Sequence, residues 1–468
     1  MSHPGTTHPL TTLITARDHR LGMTHGPPVV LSVAGSDSSG GAGVQADLKA
    51  FAVAGVHGAT AITAITVQDS KGVHDVLPLA PRTIEAQIDA VAKDLAPRWA
   101  KTGMLFSPAI ATAVAGRLSE YRIGCVVDPV LVATSGDALS EEHLAEAIRR
   151  ELLPRADVVV PNADEASALL RGRKVRTGDD LKRAAEDLRE LGPQAVLVKG
   201  GHISGAGPVV DVLCTGKGRF EEFAHARLEA TFHGKGCTLS ALIAAYLASG
   251  ETVERAVGKA ERALQSMLLA AYPVGGGAAY LDHMATARMA ALQWEVAREV
   301  RLAVRDLEHL LDAEWVPEVG SNVCYALPHA TSPEDVAALT GRIHRVCARA
   351  RPLGHVNYGA SRYVASVVLA AMRHDPGMRA CVNLARTEDH LRRAREAGLT
   401  VASFDRAARP EDADPGYEWG TDAAIRALGA VPDVIEDAGG FAMEAQMRVL
   451  GRSPGEVVDK VRRILSKD

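Results

Sequence analysis

Between residues 28 and 271 the chain switches repeatedly between two hydrophobic periods, and that alternation limits the folds open to it. Apolar runs of strand length occupy 28–35, 61–67, 100–104, 124–127, 158–160, 195–198 and 209–213. Between several of them, at 44–54, 83–95 and 179–191, apolar residues return every three or four positions, as on one face of a helix. Strand followed by helix, repeated, predicts a mainly parallel sheet with helices on both faces, because a parallel connection must cross back over the sheet. Helices over about 237–249 and 253–271 close the pattern, and Tyr272-Pro273-Val274-Gly275-Gly276-Gly277 breaks it. Beyond the break Met289, Leu292, Val296, Val300, Ala303, Leu307 and Leu310 share one face of a helix of about seven turns.

A chain of 468 residues is too long for one core, so two or three domains are expected. Residues 1–26 are rich in His, Thr and Pro, lack an apolar leader core, and read as a disordered or weakly docked tail. The first domain then spans 27–272, a linker and long helix 273–314, and a second α/β domain 315–468. The 52 basic and 57 acidic side chains leave a net charge of −5, which offers no basic field to nucleic acid. No apolar stretch reaches the roughly 18 residues a membrane helix needs, so a cytoplasmic protein acting on small molecules is expected. The six cysteines are widely spaced, as for reduced thiols, and form no zinc-type pairs.

Two turns carry chemistry in the first region. Ser36-Asp37-Ser38-Ser39-Gly40-Gly41-Ala42-Gly43 follows the first strand and opens a helix; its small residues admit a ligand to the backbone, although a plain tight turn explains them equally well. Phe232-His233-Gly234-Lys235-Gly236-Cys237 runs straight into an apolar helix. Amides between Gly234 and Gly236 make an anion hole for a transferring phosphoryl group. Cys237 falls in the first turn, where the helix dipole lowers a thiol's pKa and suits it to act as a base; the alternative is a small buried cysteine that merely packs there.

The ordered set AGSDSSGGAGVQADLKAF (34–51), AITAITVQD (61–69), KTGML (101–105), VVDPVLVATSGD (126–137), LLPRADVVVPNADEA (152–166), VLVKGGH (196–202) and HGKGCTLSAL (233–242) resembles the hydroxymethylpyrimidine and hydroxymethylpyrimidine-phosphate kinases, members of the ribokinase-like superfamily. The resemblance implies a ribokinase-like fold, ATP and Mg2+ as cofactors, and two successive phosphorylations at one site. It implies a pyrimidine pocket at Gly35, Ala42, Asp47, Gln68, Met104 and Val130, and a metal and triphosphate site at Asp128, Asn162 and Glu165. Lys199 and Lys235 fall at nucleotide-binding positions, and Cys237 with Gly234 and Gly236 at the base and anion hole. Lys235 stands where the family usually has Thr. A homodimer is expected by fold analogy.

In the second region, arginines stand beside glycines and small residues, as a diphosphate site requires, although any one of them could make a surface salt bridge instead. WVPEVGSNVCYALP (315–328), EDVAALTGRI (334–343), VNYGASRYVA (356–365), VASFDR (401–406) and PDVIEDAGG (432–440) resemble the archaeal-type thiamine-phosphate synthase domain. That implies condensation of the pyrimidine diphosphate with thiazole phosphate, and makes Arg342 and Arg362 the residues expected to stabilise the leaving diphosphate. Tyr363 replaces the family's usual His, and Ala442-Met443-Glu444-Ala445 stands where GKEP is usual. Two functions are therefore expected, kinase and synthase. The alternatives are a kinase whose second domain only senses thiamine phosphate, and a regulator or scaffold without turnover.

Overall fold

The computed structural model describes residues 26–132, 139–201, 203, 207–410, 418–440 and 443–466; all but the last residue of the expected tail at 1–26, part of the 126–137 block and Ala442 lie outside them. Contacts divide the chain into two units, 1–287 and 288–468.

The first unit is built on nine strands: β1 Val29–Asp37, β2 His57–Gln68, β3 Val73–Pro78, β4 Trp99–Thr102, β5 Gly124–Val127, β6 Val158–Val159, β7 Ala195–Val198, β8 Val209–Gly216 and β9 Arg219–His225, ordered 3-2-1-4-5-6-7-8-9. The six from β2 to β7 in that order pair in parallel, as the alternating pattern predicts; β3 adds an antiparallel edge at one end, and β8 and β9 add antiparallel strands at the other, with β9 the edge. Strand period two divides the core. Leu31, Val127 and Val159 pack with Ile84, Ile110 and Leu181 on one face, while their neighbours Val30, Val126 and Val158 pack with Phe51, Leu242 and Val257 on the other. Helix Lys235–Ala248 is buried nearly all round, which explains why its sequence shows no polar stripe. The edge strands β3 and β9 are mostly exposed, so they carried no apolar run to betray them.

The glycine break does not end this unit. Short strands β10 Phe232–His233 and β11 Ala279–Tyr280 pair in parallel, and Tyr272 bridges to Tyr280, so residues 273–282 fold back onto the first unit. On helix Ala285–Leu310, Val296, Val300, Ala303 and Leu307 are buried in the second unit's core, Leu292 and Leu310 lie at its edge, and Met289 is exposed.

The second unit has seven strands in one sheet: β12 Val323–Ala326, β13 Val336–Leu339, β16 Val356–Tyr358, β17 Ala380–Ala385, β18 Val401–Ser403, β19 Val434–Asp437 and β20 Gln446–Gly451, with β14 Ile343–Val346 and β15 Arg349–Pro352 forming a separate hairpin. Every pairing in the large sheet is antiparallel except β18 with β19, unlike the first unit. Helices Arg362–His374 and Glu418–Leu428 pack on one face, Ala285–Leu310 and Pro454–Leu465 on the other.

Candidate active sites

The groups singled out from the first region collect beyond the carboxyl ends of the parallel strands, where helix starts and strand ends leave backbone groups open to a ligand. Asp37 ends β1, and its carboxylate accepts N–H bonds from Ser39 (2.8 Å), Gly41 (2.9 Å) and Ala42 (2.7 Å) and a contact from His233 Nε2 at 2.9 Å. Burial alone would raise its pKa; the donors, His233 foremost, outweigh that and hold it down at about 2. The glycine-rich turn is therefore wound around a carboxylate rather than being a plain tight turn. It abuts the second turn: Gly234 has φ +76°, and a Cβ there would lie 1.8 Å from the Gly41 carbonyl oxygen.

Gly35, Ala42, Gln68, Met104 and Val130 come together at this junction. Gln68 Nε2 lies 3.2 Å from His233 Nε2, and a side chain on Gly35 would press on Met104 Sδ. Met104, Val130, Ala64 and Leu139 form a small apolar wall. Beside it, Gln68, Ser70, Lys71, Thr231, His233 and Gly277 line a cleft of about 600 Å³.

Asp47 is the exception among the expected pyrimidine contacts. It is fully buried beneath the pocket, where Lys101 Nζ reaches its two oxygens at 3.1 and 3.0 Å and Ser32 Oγ donates at 2.6 Å. Its carboxylate faces a cation rather than a ligand. Burial pushes the Asp47 carboxyl up and Lys101 opposes it; burial would lower Lys101, but Asp47, Cys237 and Asp128 raise it, so the ammonium stays charged.

Cys237 also differs from expectation. It sits in the first turn of helix Lys235–Ala248, yet burial pushes its thiol up to about 11, against the opposing pull of Lys101 and the Gly43 N–H. Burial, with Asp47 and Asp128 nearby, sets the direction of the shift.

The phosphate end lies across the same helix start. Lys199, just past β7, is 3.2 Å from Asp128 and 3.9 Å from Glu165, and Ser240 Oγ donates to Asp128 at 3.1 Å. Gly236 lets them approach: a Cβ there would stand 3.2 Å from Lys199 Nζ and 3.7 Å from an Asp128 oxygen. Asn162 and Glu165 form a reciprocal capping box on helix Ala163–Leu169, so part of their pattern is helix capping. Burial, with Asp128 nearby, lifts Glu165 to about 7, although Lys199 pulls it down. Two close carboxylates offering only oxygen fit Mg2+, which commonly takes one or two carboxylates, waters and substrate phosphates. Lys235 Nζ reaches toward Gly201, and burial lowers its pKa.

In the second unit Arg342, at φ +62°, donates to the Val319 carbonyl at 2.6 Å, and Arg362 is exposed at the start of its helix. Neither is buried. A network that joins Tyr363, Arg406, Asp437 and Met443 to Asn383, Gln446 and Arg448, which no motif marked, lies at the sheet's centre. Tyr363 donates to Gln446 Oε1 at 2.6 Å and accepts from Arg448 Nε at 2.8 Å, and Arg448 and Arg406 both pair with Asp437. Asn383 Nδ2 reaches Gln446 at 3.2 Å and the Gly320 carbonyl at 3.1 Å, and Gly320 packs against Arg342. Met443 Sδ lies 2.8 Å from Arg406 Nη1. Gln446 and Arg448 were missed because nothing marks a polar residue in the buried strand Gln446–Gly451 as anything but an interruption, whereas Lys101 and His233 stand inside the kinase-like motifs without a role assigned to them.

Family comparison places both halves. The phosphomethylpyrimidine kinase model matches residues 37–282, and the thiamine-phosphate synthase ThiN model matches 299–463. The hydroxymethylpyrimidine/phosphomethylpyrimidine kinase of Streptomyces coelicolor is 42% identical over 257 residues, 55% of this chain and 94% of its own. The bifunctional thiamine biosynthesis protein ThiDN of Methanocaldococcus jannaschii is 30% identical over 441 residues, 92% of this chain and 97% of its own. Among solved structures, pyridoxal kinase from Bacillus subtilis in an ADP complex has a TM-score of 0.52 at 34% identity, covering 56% of this chain and all of that one. Likeness to a bifunctional protein across both halves favours the synthase over a sensor-only domain. The chain belongs to the phosphomethylpyrimidine kinase family and joins a hydroxymethylpyrimidine/phosphomethylpyrimidine kinase to a ThiN thiamine-phosphate synthase.

Proposed function

We propose that both phosphoryl transfers occur at the single junction of the two glycine turns, with Cys237 taking the proton of the substrate hydroxyl. The observation that carries this reading is the convergence of Gln68, Met104 and Cys237 on one side of the helix start at Lys235 with Lys199, Asp128 and Glu165 on the other. ATP supplies the phosphoryl group. In the first transfer the hydroxymethyl oxygen bonds to the γ-phosphorus, the bond to the β-bridging oxygen breaks, and the hydroxyl proton passes to Cys237 in its thiolate form. Amides of Gly236 and Cys237, open at the helix start, face the charge on the phosphoryl oxygens. Lys199 and Lys235 bind nucleotide phosphates. Asp128 and Glu165 would hold Mg2+, which neutralises phosphate charge when bound. In the second transfer a phosphate oxygen of the monophosphate replaces the hydroxyl as nucleophile.

For the second domain the reading is that Arg342 and Arg362 meet the diphosphate leaving group while the Tyr363, Gln446 and Asn383 network fixes the Arg342 loop through Gly320. A one-pot assay with hydroxymethylpyrimidine, ATP, magnesium and thiazole phosphate tests both halves. Thiamine phosphate is the expected product, with its yield lost in Arg342→Ala while the pyrimidine diphosphate still accumulates. Undiminished thiamine phosphate in both Arg342→Ala and Arg362→Ala would remove the proposed roles of those arginines.

A further inference from the structure

Helix Val253–Leu269 buries Ala256, Val257, Ala260, Leu264, Met267 and Leu268 in the first unit's core. Glu261 interrupts this face. It is 4% exposed, and neither of its carboxylate oxygens has a hydrogen-bond partner among the described residues. A buried carboxyl with no backbone or hydroxyl donor cannot hold its charge unaided; either a proton shared with the neighbouring Asp211 carboxyl or a cation answers it.

Its neighbours supply the rest of a ligand set. Asp211 on β8 is 5% exposed and is anchored by the Gly200 N–H at 2.7 Å; His225 ends β9 and is half-buried. One ligating atom from each of Asp211, His225 and Glu261 lies within 4.8 Å of the others. Lys235 and Lys199 pull on both carboxyls through space, but no ion pair among the described residues joins either lysine to them. Burial lifts Glu261 to about 9 and lowers His225, which leaves the imidazole neutral with a lone pair to offer.

The geometry points to a divalent transition-metal site of the zinc class, formed by Asp211, His225 and Glu261 and distinct from the Asp128 and Glu165 pair. One imidazole and two carboxylates suit zinc better than Mg2+ or Ca2+, and three protein ligands leave a position for water. The ion would tie the β8–β9 hairpin to helix Val253–Leu269. On binding, a proton held by the carboxyl pair leaves to solvent.

The test uses the full chain, stripped with EDTA and then equilibrated with Zn2+ or Co2+. One equivalent of Zn2+ per chain should survive desalting, Co2+ should give a visible d–d band, and Zn2+ should raise the Tm. Glu261→Gln and His225→Ala should each weaken binding at least tenfold and abolish the Tm rise, whereas Asp128→Asn should keep all three. His225→Ala, at a half-buried position, serves if Glu261→Gln does not fold. A wild-type chain that gives no cobalt band overturns the site, as does equal retention of metal in wild type and His225→Ala. So does an infrared band of a protonated carboxyl that persists at saturating Zn2+ and disappears in Glu261→Gln.

Discussion

The two phosphorylations differ in one respect that isolates Cys237. The first acceptor is an alcohol that must lose a proton; the second is a phosphate oxygen already ionised near neutrality, since a phosphate monoester's second pKa is about 6. If Cys237 acts as the base, Cys237→Ala should slow the first transfer by the roughly 10²- to 10⁴-fold that a positioned base contributes. The second transfer should fall by less than about tenfold, the residual effect of an altered pocket wall. The thiol's burial adds a second signature. With its pKa near 11, only about one molecule in a thousand carries the thiolate at pH 8. The logarithm of the first-transfer rate should therefore climb with a slope of about one from pH 7 to 9 in the wild type and lie flat in Cys237→Ala. Single-turnover measurements with hydroxymethylpyrimidine and with its monophosphate, each followed by chromatography of the products, separate the steps. Equal losses in the two transfers, or parallel pH profiles in wild type and variant, would refute the base role and leave Cys237 as packing.

Lys101→Met strands the Asp47 carboxylate and should cost about 3–5 kcal/mol, seen as a lowered Tm of the first unfolding transition, with Asp47→Asn added on top recovering part of it. Asp37, held near 2 against an ordinary 3.8, contributes stability that is fully present above pH 3.8 and is lost as pH falls towards 2; in Asp37→Asn that acid-sensitive component should vanish from denaturant titrations. Lys235→Thr removes a cation beside the Gly201 turn and should raise KM for ATP by roughly tenfold while leaving KM for the pyrimidine nearly unchanged, a split readable by steady-state kinetics. Tyr363→Phe deprives Gln446 and Arg448 of the phenol they share and should destabilise the second domain by about 1–3 kcal/mol, measured by chemical denaturation.

The parallel half of the fold was legible because its strands are buried on both faces and therefore read as unbroken apolar runs: 124–127 and 195–198 return as β5 and β7 without a shift. What escaped were the strands with little to bury. Val73–Pro78 and Arg219–His225 alternate weakly and lie at sheet edges, where pairing rather than hydrophobicity defines them. The glycine run at 275–277 read as a boundary because glycine breaks periodicity wherever it occurs. Sequence cannot tell a turn that leaves a domain from one that returns, and here β11 pairs back to β10.

The sites divide along a similar line. Residues in loops at strand ends, such as Gln68, Asp128, Lys199 and Cys237, were legible because small and polar residues in a fixed order have few structural reasons to be there. Asp47 was legible but its placement was not: a carboxylate one turn into a helix reads the same whether it faces a ligand or a buried lysine, and its partner Lys101 lies 54 residues away. Arg448 and Asp437 repeat the case in the second domain, each fully buried and each answered by a residue on another strand or helix. A buried pair of this kind gives little net stability, because desolvation consumes most of the attraction. What it gives is direction, since one partner cannot move without leaving the other bare. Beneath Cys237 the Asp47 and Lys101 pair fixes a positive charge under the sulfur, and behind Tyr363 the Arg448 and Asp437 pair fixes the phenol against Gln446. Exchanging Asp47 and Lys101 for an isosteric apolar pair should therefore leave the Tm close to the wild-type value while the Cys237 pKa rises and the first transfer slows; a slower first transfer with an unchanged thiol titration would contradict the account.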